Sequence, residues 1–257
     1  MRHKSSERWS DYVSTFHNEQ PGITEDILSL AVSARGMNPY QWVTAPIPLV
    51  ARTLDLACGS GPCMRLRRSE QWIGIDRSAN ELARSRASGA GNVLQGEATA
   101  LPFDDAMFDG VVCSMAIMVL QPLDKAVQEV FRVLRPGGLF VVMMPGRHPV
   151  RVRDVVRYAR LVVGLRRHRL TYPNERVLRG DLTPFQSLGF EVIEDVRLGF
   201  RLNIDTPETA ERFVRSLYLP ESTSSAMARA QTLVARWVGS DIGIPLRRIT
   251  MSRGLAT

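Results

Sequence analysis

The sequence predicts an α/β protein: a doubly wound, mostly parallel sheet of seven strands, helices on both faces, and an antiparallel edge strand. Three observations predict it. From residue 53 onward, short apolar runs alternate with segments of helical periodicity. The first two runs end in a glycine turn and in an acid, at the sheet edge where such folds bind ligands. With 257 residues, 44% apolar and 23% charged, the chain can bury one substantial core.

The elements follow in order. Residues 1–48 carry Trp9, Tyr12, Phe16, Tyr40 and Trp42 before any strand begins, and they are expected to fold as helices over the ligand edge of the sheet or to cap its core. The first strand, 53–57, is buried and ended by Gly59-Ser60-Gly61. The second, 72–76, leads into a helix whose start, Ser78 with Glu81 three residues on, has the pattern of a capping box. Strands at 92–96, 108–114 and 139–144 follow. Between the last two, a helix at 122–134 places Leu123, Val127, Val130 and Leu134 on one face and stops at Arg135-Pro136-Gly137-Gly138. Beyond it the pattern loosens into helices at 150–163 and after Asp205-Thr206-Pro207-Glu208. Final strands at 190–196 and 245–251 would complete the sheet with its antiparallel edge.

Composition excludes several classes. The longest apolar run, 111–120, is about half of what a spanning helix needs and contains Ser114. The polar N-terminus has no apolar signal core, so a cytoplasmic location is expected. Cys58, Cys63 and Cys113 are too few for a disulfide framework and lack the neighbours of a zinc site, so reduced thiols and no metal are expected. Of 33 basic residues 31 are Arg, which makes the overall charge of +7 weak evidence for an anionic partner. Its distribution is more informative: residues 147–179 hold ten Arg against Asp154 and Glu175. The aromatics are not interleaved with these arginines, which disfavours nucleic acid.

The chemistry concentrates at Leu54-Asp55-Leu56-Ala57-Cys58-Gly59-Ser60-Gly61, a carboxylate at a strand end followed by two glycines that let backbone approach a ligand. Asp76 stands 21 residues after Asp55, the spacing at which an acid accepts hydrogen bonds from ribose hydroxyls in nucleotide-binding α/β folds. The third glycine of the dinucleotide pattern is missing, and no phosphate-loop Gly-Lys-Ser/Thr occurs. Both acids have a plainer reading as helix caps, although Ser78 already occupies the cap position after the second strand.

Five stretches in order resemble the motifs of class I S-adenosylmethionine-dependent methyltransferases: the glycine turn above, Ile73-Gly74-Ile75-Asp76-Arg77-Ser78, the segment 96–104 beginning Gly96-Glu97-Ala98, the strand 108–114, and 129–138 ending Arg135-Pro136-Gly137-Gly138. The resemblance covers 53–144 and is strongest to the branch of quinone-biosynthesis and natural-product enzymes. It implies a Rossmann-like fold and S-adenosylmethionine as cofactor. Carried over by position, it implies that Asp55 helps hold the methionine amino group and that Ala57, Cys58, Gly59 and Gly61 pass under the methionine and ribose. Asp76 would take both ribose hydroxyls, and Arg77 would lie on the adenine face. Glu97 stands where the family has Asp beside the adenine amino group, with the Ala98 backbone as second partner. Cys113 and Ser114 would lie close to the reactive methyl.

A single methyltransferase domain is thus expected, with 1–48 a helical lid, 49–146 the cofactor core, and 147–257 a basic helical insertion, substrate region and final strands. Methyl transfer needs alignment and exclusion of water more than acid–base catalysis. For an acceptor that must lose a proton, His148 and His17 are the candidate bases, each with a plainer reading as a lining or structural histidine. Tyr12, Phe16, Met115 and Arg147 are candidate substrate contacts, with Tyr172, Tyr218 and Trp237 as further linings. In the helix 150–163, Val152, Val155, Val156, Ala159, Val162 and Val163 recur at helical spacing, with Arg153, Arg157 and Arg160 on another face. Those arginines are either solvated or meet an anionic substrate, a carrier-bound intermediate or a membrane surface. The expected function is methyl transfer to O, C or N of a small organic molecule in biosynthesis or secondary metabolism. Two alternatives stay open: a cyclase or isomerase that uses the bound sulfonium without methyl transfer, and a non-catalytic cofactor-binding partner protein.

Overall fold

The computed structural model describes residues 2–147 and 151–255. The chain enters through α1 (Arg2–Glu19), α2 (Ile23–Leu30), a two-residue strand β1 (Val32–Ser33) and α3 (Pro39–Thr44). Alternation then sets in: β2 (Thr53–Leu56), α4 (Pro62–Arg67), β3 (Trp72–Asp76), α5 (Ala79–Ala87), β4 (Val93–Gln95), β5 (Phe108–Ser114), α6 (Leu123–Val133) and β6 (Leu134–Pro145). Next come α7 (Val152–Gly164), the single turns α8 (Glu175–Leu178) and α9 (Thr183–Gln186), and β7 (Phe190–Ile204). The chain closes with α10 (Pro207–Arg215), α11 (Ser224–Ala235) and β8 (Ser240–Arg253). No described helix is long and apolar enough to cross a membrane.

All strands join one mixed sheet in the order β1-β7-β8-β6-β5-β2-β3-β4. The five from β4 to β6 run parallel, and β2 and β5 at their centre are buried on both faces. β8 is antiparallel to both β6 and β7, so the antiparallel strand expected at the edge lies further in. The sheet also has eight strands rather than seven: β1 pairs antiparallel with β7 at the rim and is too short to leave a periodic pattern. From β2 the chain runs outward to β3 and β4, then returns to the other side of β2 at β5. That reversal opens a crevice at the carboxyl ends of β2 and β5.

Period-two alternation divides the core between the two faces. Leu54, Val111, Cys113, Phe140 and Val142 pack in one apolar cluster, while Val112, Val141 and Met143 join Trp42, Trp72 and Phe200 in the other. Ser78 caps α5 by accepting the Glu81 backbone N–H at 3.3 Å. Glu81 does not complete the expected capping box. Its buried carboxylate instead accepts the Gly22 N–H at 2.9 and 3.0 Å and bonds His17, tying the N-terminal segment to α5.

Much of the basic 147–179 stretch is neutralised internally. Arg151, Arg153 and the neighbouring-strand Arg201 converge on Asp241, and Arg169 and Arg179 hold Glu175. Arg147 is exposed just beyond β6. His148 lies outside the described residues.

Candidate functional site

The carboxyl ends of β2, β3, β4 and β5 open on one cleft of about 1060 Å³, counting its mouth. Asp55, Ala57, Cys58 and Gly59 form one wall, with Asp76, Arg77, Glu97 and Ala98 along the next strand ends. Ser114 and Met115 close the far side, and Ser10, His17, Thr24 and Glu25 cover it from α1 and α2. Two non-glycine residues here are left-handed, Ala57 at φ 54° and Met115 at φ 58°. Such backbone persists where the surroundings over-determine it, typically around ligands.

The two glycines do different work. Gly59, at φ 53°, leaves a space that a β-carbon would fill only by overlapping the Glu25 carboxylate. Gly61, at φ 75°, is not in the cleft wall, because it is packed against Ser85 and Ala90 of the α5 region. Gly61→Ala is therefore expected to destabilise the fold by about 2 kcal/mol or more, combining backbone strain with overpacking. Urea denaturation of the purified variant measures it.

The cleft is rich in buried carboxylates. Asp55 is 1% exposed and its Oδ2 has no hydrogen-bond partner. Burial pushes its carboxyl up to about 8, with the charges of Asp76 and Glu25 adding to the effect. Glu25 likewise has an unpartnered Oε2, and burial with the neighbouring Glu81 charge raises it to about 7. Asp76 accepts the Gly59 and Ser78 N–H groups at 2.9 Å, one on each oxygen, and each oxygen retains a second acceptor position. Burial raises its carboxyl, and those two N–H groups limit the rise. The Ser60 and Ser114 hydroxyls are also buried without partners. Arg77 approaches Glu97 at 3.7 Å and donates to Ser10 Oγ at 3.0 Å, bridging the strand ends to α1.

His17 joins two elements through both ring nitrogens. Nδ1 lies 2.7 Å from Glu81 Oε1 and Nε2 lies 2.8 Å from the Tyr218 hydroxyl. Burial pulls the imidazole down, but the Glu81 hydrogen bond and the charges of Glu25, Glu81 and Asp76 carry it above its ordinary value.

Tyr218, Met115 and Thr24 also line a second chamber of about 920 Å³, counting its open mouth, walled by Ile27, Leu28, Met118, Tyr158, Tyr172 and Phe213. Among the described residues, its lining holds no Asp, Glu, Lys, Arg or His. The two cavities thus share one partition.

Of the residues expected from sequence, Asp55, Ala57, Cys58, Gly59, Asp76, Arg77, Glu97, Ala98, Ser114, Met115 and His17 meet at this cleft. Cys113 does not: strand alternation turns it into the core, where it is fully buried. Tyr12 and Phe16 pack behind the wall, Phe16 against Tyr218, while the Tyr12 hydroxyl accepts the Leu219 N–H at 2.7 Å. Arg147 borders neither cavity, and Trp237 packs on Phe213 outside the chamber. Glu25 and Thr24 belong to the cleft without any sequence signal, and Tyr40, one of the N-terminal aromatics expected over the ligand edge, lines it too. Glu25 reads as an ordinary acid in the first turn of a helix.

Unpartnered carboxylates beside an acid at ribose spacing suit a ligand that brings both positive charge and hydroxyl donors. Residues 54–142 match the family model described as a methyltransferase domain. The chain is 37% identical over 126 residues to the malonyl-[acyl-carrier protein] O-methyltransferase of Enterobacter lignolyticus, covering 48% of this chain and 45% of that protein. It is 33% identical over 111 residues to the demethylmenaquinone methyltransferase of Desulfitobacterium hafniense, covering 36% and 44%. The match spans less than half the length of either relative. Among solved structures, the [4+2]-cyclase SpnF superposes with a TM-score of 0.53 at 20% identity, over 84% of this chain and 81% of that one. A putative sarcosine dimethylglycine methyltransferase from Galdieria sulphuraria gives 0.52 at 14% identity, over 84% and 85%. At these identities the superpositions establish the fold. Residues 54–142 thus combine the motif order, the family match and the fold of a methyltransferase domain.

Proposed function

We propose that the chain transfers a methyl group from S-adenosylmethionine to an O, C or N atom of an uncharged, largely apolar small molecule held in the second chamber. The observation that carries this reading is the shared partition at Met115 and Tyr218, which sets an apolar chamber beside the cofactor cleft. When bound, the cofactor supplies an electrophilic methyl on a sulfonium. Asp55 and Glu25, each with one unpartnered carboxylate oxygen in the cleft, would face its positive groups, Asp76 would take the ribose hydroxyls, and Arg77 with Glu97 would frame the adenine. The chamber orients the acceptor and excludes water.

Proton removal falls to Tyr218 and His17. With Nδ1–H donated to Glu81, neutral His17 presents Nε2 as acceptor to the Tyr218 hydroxyl. An acceptor O–H or acidic C–H passes its proton to the Tyr218 oxygen as the Tyr218 proton moves to His17, and the resulting imidazolium stays paired with Glu81. Burial holds the Tyr218 phenol well above its usual range, so it acts as a conduit and not as a standing phenolate.

The test is to incubate the purified chain with methyl-labelled S-adenosylmethionine and two acceptor panels. One holds neutral phenols, enols, quinols and uncharged aromatic nitrogen compounds; the other holds carboxylic acids, cationic aliphatic amines and carrier-bound thioesters. Label in a member of the first panel, with an equal amount of S-adenosylhomocysteine, is the expected result. Label confined to the second panel refutes the substrate class. Conversion of a substrate without S-adenosylhomocysteine refutes methyl transfer itself.

A further inference from the structure

We propose that the outer face of α7 and the adjoining α11 is a docking surface for an anionic lipid bilayer. The amphipathic pattern of α7 is mounted inside out. Asp154, Tyr158, Leu161 and Leu165 form its inner stripe, while Arg151 and Arg153 turn to Asp241, and Arg157 donates to the Ser240 hydroxyl and the Asp241 carbonyl. The opposite stripe is left facing outward: Val152, Val155, Val156 and Val163 are 80, 55, 42 and 72% exposed, with Ala159 exposed between them.

A continuous groove joins this stripe to α11. Its lining sets apolar Ala159, Val163, Ala228 and Leu233 beside Arg160, Arg229 and Arg236, with Thr232 as its uncharged polar side chain and no acid among the described residues. Arg160 and Arg236 have no carboxylate partner among the described residues. The only acid on either helix, Asp154, is buried and paired with Arg151. Exposed valines rimmed solely by arginine match the interfacial region of a bilayer, apolar below and negatively charged at its surface. The inner side of the same helix supplies Tyr158 to the apolar chamber, so docking would set that chamber's wall close to the lipid.

This inference requires neither a cofactor nor an acceptor, and its test is independent of methyl transfer. The full chain is co-sedimented with vesicles of phosphatidylcholine alone and of phosphatidylcholine mixed with phosphatidylglycerol, at low and high salt. Wild type is expected to favour the anionic vesicles about tenfold, and salt should reduce that preference. Two variants probe the two components, Val155→Asp with Val163→Asp for the apolar stripe and Arg160→Glu with Arg236→Glu for the rim. Each pair should weaken vesicle binding about tenfold, while S-adenosylmethionine affinity and melting temperature stay at wild-type values. Equal binding to both vesicle types, or variants that bind as well as wild type, overturns the proposal. So does a concentration-dependent dimer that the variants dissociate without any change in vesicle binding, because the face would then belong to a second copy of the chain.

Discussion

Asp55→Asn is expected to weaken S-adenosylmethionine binding about a hundredfold, the scale for losing one partner of a buried charge pair. The same substitution should raise the melting temperature of the ligand-free protein at alkaline pH. Both effects have one origin: a carboxylate held out of water with an unpartnered oxygen and a pKa pushed up to about 8. Because the folded value is raised, the folded protein keeps a proton that the unfolded chain has released. Stability from this group is complete below its ordinary value near 4 and is lost as pH climbs through about 8. Asparagine removes that penalty, so the gain in melting temperature should grow with pH and vanish in acid.

Cofactor binding has the opposite slope. A ligand with an ammonium and a sulfonium favours the ionised forms of Asp55 and Glu25, so binding expels protons and affinity rises between about 7 and 8. Calorimetry in buffers of different ionisation enthalpy counts these protons, and Asp55→Asn should release fewer. Unchanged affinity together with an unchanged proton count would refute the placement of the cofactor's positive groups.

Tyr218→Phe carries the second large effect. With an acceptor found by the labelling screen, kcat should fall about a hundredfold, in the range for removing a proton-transfer group, while S-adenosylmethionine affinity changes by no more than roughly threefold. The phenyl ring keeps its packing on Phe16, so the loss reports the hydroxyl. His17→Gln should lower kcat comparably and flatten the alkaline rise of its pH profile, since the raised His17 value sets that rise. An acceptor that is already anionic in solution should be nearly indifferent to both substitutions. Wild-type kcat with a neutral acceptor in both variants would eliminate the relay.

The legible part of this protein is the part governed by local pattern. Strands β2, β3 and β5 are apolar on both faces and punctuated by glycine or acid, and their ends are legible to within a residue, whereas β6 begins at Leu134, five residues before the expected start, because Leu134 already pairs with Phe108. Asp55 and Asp76 were visible for the same reason, because a strand end fixes where a side chain must point. Cys113 was misplaced although period two, applied to its neighbour Ser114, separates them. β1 was too short to carry any period, and Glu25 gave no signal because its burial is created by Gly59, Glu81 and the packing of α2, all distant in sequence. For α7 the period located an apolar stripe, but only the position of Asp241 shows that the arginines face inward and the valines outward.

The cleft draws its groups from well beyond the segment that carries the family motifs. His17, Thr24, Glu25 and Tyr218 fall outside residues 54–142, as does most of the apolar chamber. The motif segment is therefore not self-sufficient. On the proposed reading, transplanting it between relatives would move the nucleoside half of the pocket and leave behind a counter-charge, the proton relay and most of the apolar chamber, so nucleoside recognition and acceptor choice could diverge separately.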